Sequence, residues 1–383
     1  MIRVGFVINF KSSQWLGGYN YYKNFFNCLN EFGNKKIIPI IITDKKKEIE
    51  KDKLISKLEI IETQLVSRSN LILKIFNKIL IVMFNKNFLF EKFYTDNNIQ
   101  VLSHSGWIGK KSKIINLPWI PDFQELHLPE NFNFITRLIR RFRVFFCHYF
   151  STKIIVSSKS VQKDLKKINK NAAKNSLLIN HSVDIPRQSE LKSLQYLKKK
   201  YHIDYDYFFL PNHYWKHKNH TVIFEAMSER KSKKKYLVIS TGSISDHRHP
   251  EYIADIKKYI FKNQFYKALG IIPYIDMLSL MYYSIALINP SKSEGWSNTV
   301  EQAKAMYKKI VLSDIKVHLE QADKNCIFFK ADDYKKLSNI LEKEAIKFKK
   351  NKLKKYRNKN NIAKKKFISI YQQSLIKLLS QKI

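Results

Sequence analysis

The chain has 383 residues, 44% hydrophobic and 14% aromatic. That is enough apolar material to exclude global disorder, and the length favours two domains over one. Lys and Arg number 70 against 32 Asp and Glu, a formal net charge of +38. Such an excess points to an anionic partner, membrane surface or nucleic acid, or to a compositional bias toward Lys, Ile and Asn at ordinary surface positions.

Residues 1–10 read as a first buried strand, too short for a secretory h-region. No window of ~18 apolar residues is free of charge, so no membrane span is expected. Cys28, Cys147 and Cys326 are scattered, which suits a reduced, cytoplasmic setting. Residues 11–18 form a loop holding Gly17 and Gly18, and 19–32 an amphipathic helix. A second strand follows at 36–43, and the charged stretch 44–65 is expected to be helical. Residues 71–94 read as a basic, aromatic helix. Strands follow at 99–103 and 113–117, then a basic aromatic helix at 132–150. A strand at 153–157 and a helix at 158–168, capped by Ser158, close the first alternating series.

Residues 188–200 are polar and read as a linker. A second series then opens with strands at 207–210, 236–240, 268–272, 285–288, 310–312 and 326–329. Helices are expected between them, at 219–228, 251–262, 275–283 and 301–307. The rest of the chain is helical and very basic. The fold class is therefore α/β, with two Rossmann-like doubly wound domains and a ligand cleft expected between them.

The most informative stretch is 285–302. A short apolar strand is ended by Pro290. Glu294, Gly295 and Trp296 follow in a loop, and Ser297, Asn298 and Thr299 open a helix. A carboxylate thus meets a helix N-terminus at the C-terminal end of a parallel strand, where open α/β sheets bind phosphates. A carboxylate suits that place if it contacts sugar hydroxyls, so the expected ligand is a sugar joined to a diphosphate. Asn212–His220 follows the first strand of the second series, and its Lys218 is placed to reach a diphosphate. The alternative is a solvated basic loop. Gly17 and Gly18 allow close backbone approach to an anion, or form an ordinary turn. Gly242 and Ile272 stand at strand ends of the second series and join the expected binding set. Asp122, in a proline-stiffened loop, is a candidate for binding hydroxyls. The histidines at 213, 217 and 220, and at 247 and 249, lack carboxylate or Cys partners at ligand spacing, so no metal and no cofactor are expected.

Together, Pro290–Asn298, Leu312–Glu320, Trp215–His220, Trp119–Gln124 and Gly17–Tyr21 resemble the retaining glycosyltransferases of family 4, over nearly the whole chain. The resemblance implies the GT-B fold and metal-independent sugar transfer with retained configuration. It also implies acceptor binding by the first domain and nucleotide-sugar binding by the second. Members close to this pattern build bacterial surface polysaccharides such as O-antigen, capsule or lipopolysaccharide. Glu294 matches the first Glu of the family's E-x7-E signature and Lys218 its phosphate-binding Lys. The second Glu is replaced by Gln302, the usual Arg companion by Asn212, and the Gly and Pro after the signature helix by Tyr307 and Lys309. The expected domains are 1–190, 191–365 and a basic helix at 366–383 packing back on the first. The expected partners are a nucleoside diphosphate sugar, a lipid-linked glycan acceptor and an anionic membrane surface, with the protein peripheral on the inner face. Two rivals differ in class: a non-catalytic, basic nucleic-acid-binding α/β protein, and a sugar-nucleotide epimerase. No nucleic-acid recognition motif is present, so no nucleic acid is expected.

Overall fold

The computed structural model describes residues 1–10, 16–34, 36–52, 55–67, 71–231, 233–349, 353, 355–356 and 360–382. The chain divides into two compact units. One comprises Met1–Phe123, Phe132–Asp184 and Asn361–Ile383. The other comprises Gln124–Asn131 and Ile185–Asn360.

The first unit is built on β1 (Ile2–Val7), β2 (Ile37–Thr43), β3 (Glu59–Glu62), β4 (Val101–Ser103) and β5 (Ile115–Leu117), all parallel, in the order β3-β2-β1-β4-β5. A smaller parallel sheet, β6 (Trp119–Ile120), β7 (Ile154–Val156) and β8 (Ser176–Leu178), follows. The inner strands read as continuous apolar runs because both faces are covered, as in other parallel sheets. The helix Leu16–Phe32 lays Tyr22, Phe25, Phe26 and Leu29 on that core. The last helix, Asn360–Ser380, adds Phe367, Ile368, Tyr371, Leu375 and Leu378 to the same cluster. Its Lys364 ammonium is 2.7 Å from Glu31 and 2.6 Å from Asp184, so a buried cation is paired twice.

The second unit carries β9 (Tyr207–Leu210), β10 (Leu237–Ser240), β11 (Tyr266–Ala268), β12 (Leu287–Asn289), β13 (Ile310–Ser313) and β14 (Cys326–Phe329). They form one parallel sheet in the order β11-β10-β9-β12-β13-β14. Every residue of β9, β10, β12 and β13 is buried. The strand order reverses between β9 and β12, which opens a crevice at their C-terminal ends.

Several elements differ from the sequence reading. The stretch 44–65 is not one helix. It holds a short helix, Lys46–Ile49, and the edge strand β3. β3 has Glu at both ends, and Glu59 pairs with Arg3 at 2.6 Å. An edge strand exposes one side, so it carries charges that mimic a helix surface. Residues 71–94 are two helices, Leu71–Phe84 and Phe88–Asp96. Asn85 between them is left-handed (φ 51°), and Asn87 caps the second by accepting from the Phe90 amide at 3.0 Å. The supposed linker 188–200 contains most of the helix Leu194–Tyr201, capped by Ser193. The strand expected at 268–272 ends at Ala268. Gly270, left-handed at φ 66°, turns the chain away from the sheet there.

Candidate active site

The loops that leave β9 and β12 at the reversal of strand order meet through side chains. After β12 the chain reads Pro290-Ser-Lys-Ser-Glu294. After β9 it runs to Lys218, at the end of a single 3-10 turn, Lys216–Lys218. The Lys218 ammonium lies 2.5 Å from Glu294 Oε1, and Ser291 donates its hydroxyl to the same oxygen at 2.8 Å. Burial alone would raise the Glu294 carboxyl, but Lys218, with His217 and His318 behind it, holds it down at about 2. Burial first, and then Lys218, holds His217 itself down at about 3, and burial holds His318 at about 4. Both imidazoles are thus neutral at pH 7, and Lys218 is the cation that matters to Glu294. The result is an ionised, largely desolvated carboxylate bound to one ammonium.

A second network supports it. Asn289, the last residue of β12, accepts from the Asn212 amide at 3.3 Å, and its Oδ1 lies 2.7 Å from Ser291 Oγ, whose single proton it shares with Glu294. It donates to Ser297 Oγ at 3.0 Å. Ser297 Oγ is 3.1 Å from Thr299 Oγ1. Gln321 clamps the Ser297 backbone from both sides, accepting from its amide at 3.0 Å and donating to its carbonyl at 3.1 Å. Ser297 is the residue before the helix Asn298–Ala305, yet its side chain makes no cap bond. The expected cap is therefore absent. The Ser297 hydroxyl is held by Asn289 instead of capping the helix.

The expected residues of the second unit fall around this centre. Gly295 is buried, Trp296 half-buried. Gly242, at φ 121°, lets the turn after β10 press on the Asn212–His213 backbone: a Cβ there would lie 2.8 Å from the Asn212 carbonyl oxygen. Gln302 is buried and donates to Tyr274 Oη at 2.8 Å, while its Oε1 has no hydrogen-bond partner. Ile272 is half-buried in the turn just before the helix Tyr274–Tyr283, so the Gln302–Tyr274 bond brings its segment toward the signature helix.

Gly17, Gly18 and Asp122 belong to the first unit. The glycines do not form a turn before the helix. They lie in the first turn of Leu16–Phe32, where amides have no intrahelical acceptor; residues 11–15 of the expected loop lie outside the described residues. A Cβ at Gly17 would meet nothing within 4 Å. Asp122 is bound to Arg140 at 2.8 Å. At the reversal of strand order in this sheet, between β1 and β4, stands His104, which sequence reading did not single out. It is left-handed (φ 58°), with Nε2 2.7 Å from Tyr21 Oη and Nδ1 2.8 Å from Ser103 Oγ. Burial holds it down at about 3. Sequence reading also passed over Asn289, Ser291 and Gln321. For Asn289 the signal was a polar residue ending an otherwise apolar strand. Among the described residues, no group of three His, Cys, Asp or Glu side chains could hold a metal ion. A cavity of about 270 Å3, lined by Tyr307, Lys308 and Asn325 among others, lies at the opposite, N-terminal ends of β12 to β14, away from this centre.

No protein-family model and no curated protein matches the sequence. Solved structures do match, along the whole chain. A glycosyltransferase from Rickettsia africae ESF-5 superposes with a TM-score of 0.66 at 15% identity, over 100% of this chain and 98% of that one. Anabaena HepE in complex with UDP and glucose gives 0.68 at 13%, over 99% and 100%. WaaG, a glycosyltransferase involved in lipopolysaccharide biosynthesis, gives 0.60 at 12%, over 97% and 95%. At such identities what is shared is the fold. It is the GT-B fold, two Rossmann-like domains with parallel sheets.

Proposed function

We propose that the chain is a retaining glycosyltransferase. It moves a sugar from a nucleoside diphosphate donor to a lipid-linked or polysaccharide acceptor, in bacterial surface polysaccharide synthesis. The observation that carries this reading is the Lys218–Glu294 pair beside the helix Asn298–Ala305, at the C-terminal ends of β9 and β12. The pair offers one cation and one anion to a ligand that has both an anionic and a hydroxylated part.

The bond that breaks joins the anomeric carbon to the leaving phosphate oxygen. Its electron pair stays on that oxygen, so negative charge grows on the diphosphate. Lys218 and the amides of Asn298 and Thr299 stabilise this growing charge, and because they are held in place beforehand they need little reorganisation. Glu294 orients the sugar through its hydroxyls. The acceptor oxygen forms the new bond to the same carbon, and its proton passes to the leaving phosphate. Gln302 offers an amide to ribose hydroxyls through Oε1. In the first unit, the Gly17 and Gly18 amides serve the leaving diphosphate, and Asp122 serves hydroxyls of the acceptor. The similarity to HepE in complex with UDP and glucose makes a uridine diphosphate sugar the first donor to test, and the similarity to WaaG supports a lipopolysaccharide-type acceptor.

A thermal-shift screen of nucleotide sugars tests the reading. A true donor at ~100 times its dissociation constant adds about 2.7 kcal/mol to stability. A complete set of uridine, guanosine, thymidine, adenosine and cytidine diphosphate sugars without any shift would overturn it.

A further inference from the structure

Two helices of the first unit turn an apolar face to solvent. On Phe134–Phe150, the exposed residues are Phe134, Ile135, Leu138, Ile139, Phe142, Phe145 and Tyr149. At about 100° per residue they fall within one stripe about 140° wide. Ile135 is 67% and Ile139 61% exposed. The buried residues Val144 and Cys147 lie on the opposite side of the helix. Leu71–Phe84 repeats the arrangement. Ile72, Ile75, Phe76, Ile79, Val82 and Met83 are exposed within a stripe about 120° wide, while Asn77 and Ile81 are buried opposite.

The two helices converge at their C-terminal ends on one glycine. The Gly109 amide donates to the Phe150 carbonyl at 3.0 Å, and the Lys111 amide to the Asn85 carbonyl at 2.9 Å. A Cβ at Gly109, whose φ is 97°, would lie 2.3 Å from that same Asn85 oxygen. The approach therefore depends on glycine. Trp107 stacks on Phe146 beside it, ring centroids 5.5 Å apart.

The rim is cationic. Lys78, Lys110, Lys111 and Arg141 are exposed, and neither helix contains an Asp or Glu. Of the central arginines, Arg140 pairs with Asp122, and Arg143, although exposed, donates to the Trp119 carbonyl at 3.1 Å, so Arg141 is the guanidinium on that face offered as part of the rim. Apolar side chains of this size, ringed by cations and free of acids, complement an anionic bilayer surface: aromatics and isoleucines enter the interface, and cations meet phosphates. A second copy of the chain would bring like charges together. Among the described residues no helix is long and apolar enough to cross a membrane.

We infer that this two-helix face docks the protein on an anionic lipid surface. The inference deepens the reading of a lipid-linked acceptor, but its test needs neither donor nor acceptor. Full-length protein is sedimented with vesicles of equimolar phosphatidylglycerol and phosphatidylcholine, or of phosphatidylcholine alone. Recovery is expected with the first at low salt, and is expected to fall with the second and with high salt. Ile139→Glu and Ile79→Glu, both at exposed positions, should each weaken partitioning about tenfold or more, and Arg141→Gln about fivefold, with unchanged unfolding curves. Equal recovery on both vesicle types would overturn the inference. So would a lipid-free dimer that the same glutamates dissociate.

Discussion

The Lys218 ammonium, 2.5 Å from Glu294 Oε1, ties the loop after β9 to the loop after β12 at the point where strand order reverses. Two segments distant in sequence thereby share one charge pair. It is largely desolvated, with side-chain exposures of 15% and 10%. Replacing Glu294 by Gln keeps the shape and one acceptor, but removes the charge. Sugar transfer is expected to fall by ~100-fold or more, the scale of one preorganised contact at a reacting centre. Circular dichroism separates this from unfolding. A folded variant with undiminished transfer would remove Glu294 from the site.

Acid should destabilise the second unit early. His217 and His220 are held down at about 3 and His318 at about 4, in each case by burial first. The unfolded chain binds protons at these positions near pH 6.5, where the folded chain does not. Their contribution is thus fully present above pH 6.5 and is lost as pH falls toward the folded values. Three such groups give a slope of about 4 kcal/mol per pH unit in the middle of that window. Glu294, held at about 2, adds a further loss below about pH 4.5. Denaturant melts between pH 7.5 and 5 measure the slope. A flat profile would contradict the burial of these imidazoles.

Gly242→Ala is expected to cost more than about 1 kcal/mol, because a Cβ would press on the Asn212 carbonyl at a left-handed backbone position. The strain would shift Asn212, which bonds Asn289. Donor affinity, read by calorimetry, should fall along with the melting temperature. An alanine variant as stable as the parent would show that this turn tolerates a side chain.

Transfer activity is expected to survive excess EDTA. Lys218 and the amides at the start of Asn298–Ala305 supply the positive field that a divalent ion would otherwise supply at a diphosphate. Activity lost in EDTA and restored by Mg2+ or Mn2+ would refute this.

Tyr371→Ala should cost about 3–5 kcal/mol. Its ring is fully buried against Phe25, with centroids 4.9 Å apart, in the core shared by the first sheet and the last helix. Chemical denaturation measures the loss. A change under about 1 kcal/mol would mean that the last helix adds little to this core.

Much of this protein was legible in its sequence. Parallel strands buried on both faces are continuous apolar runs whatever surrounds them, so Tyr207–Leu210 and Ile310–Ser313 announce themselves. Pro290–Thr299 likewise carries its strand end, carboxylate and helix start within ten consecutive residues. Edge and break positions were not legible. Glu59–Glu62 is a strand only because β2 stands beside it, and the helix after Leu71 stops at Asn85 in the left-handed turn that Gly109 packs against. Nor does spacing alone bring Lys218 to Glu294, 76 residues away; the order of strands in the sheet does that. The direction of the Phe134–Phe150 helix was also decided by tertiary structure. Its periodicity defines an apolar stripe, and a stripe ordinarily faces the core. Here Arg140 is held by Asp122 and Arg143 by the Trp119 carbonyl, while Val144 and Cys147 fill the space beneath. Those contacts fix the rotation of the helix and leave the isoleucines and phenylalanines on its outer side. Periodicity reports that a face exists, and only the packing of the opposite face settles which way it looks.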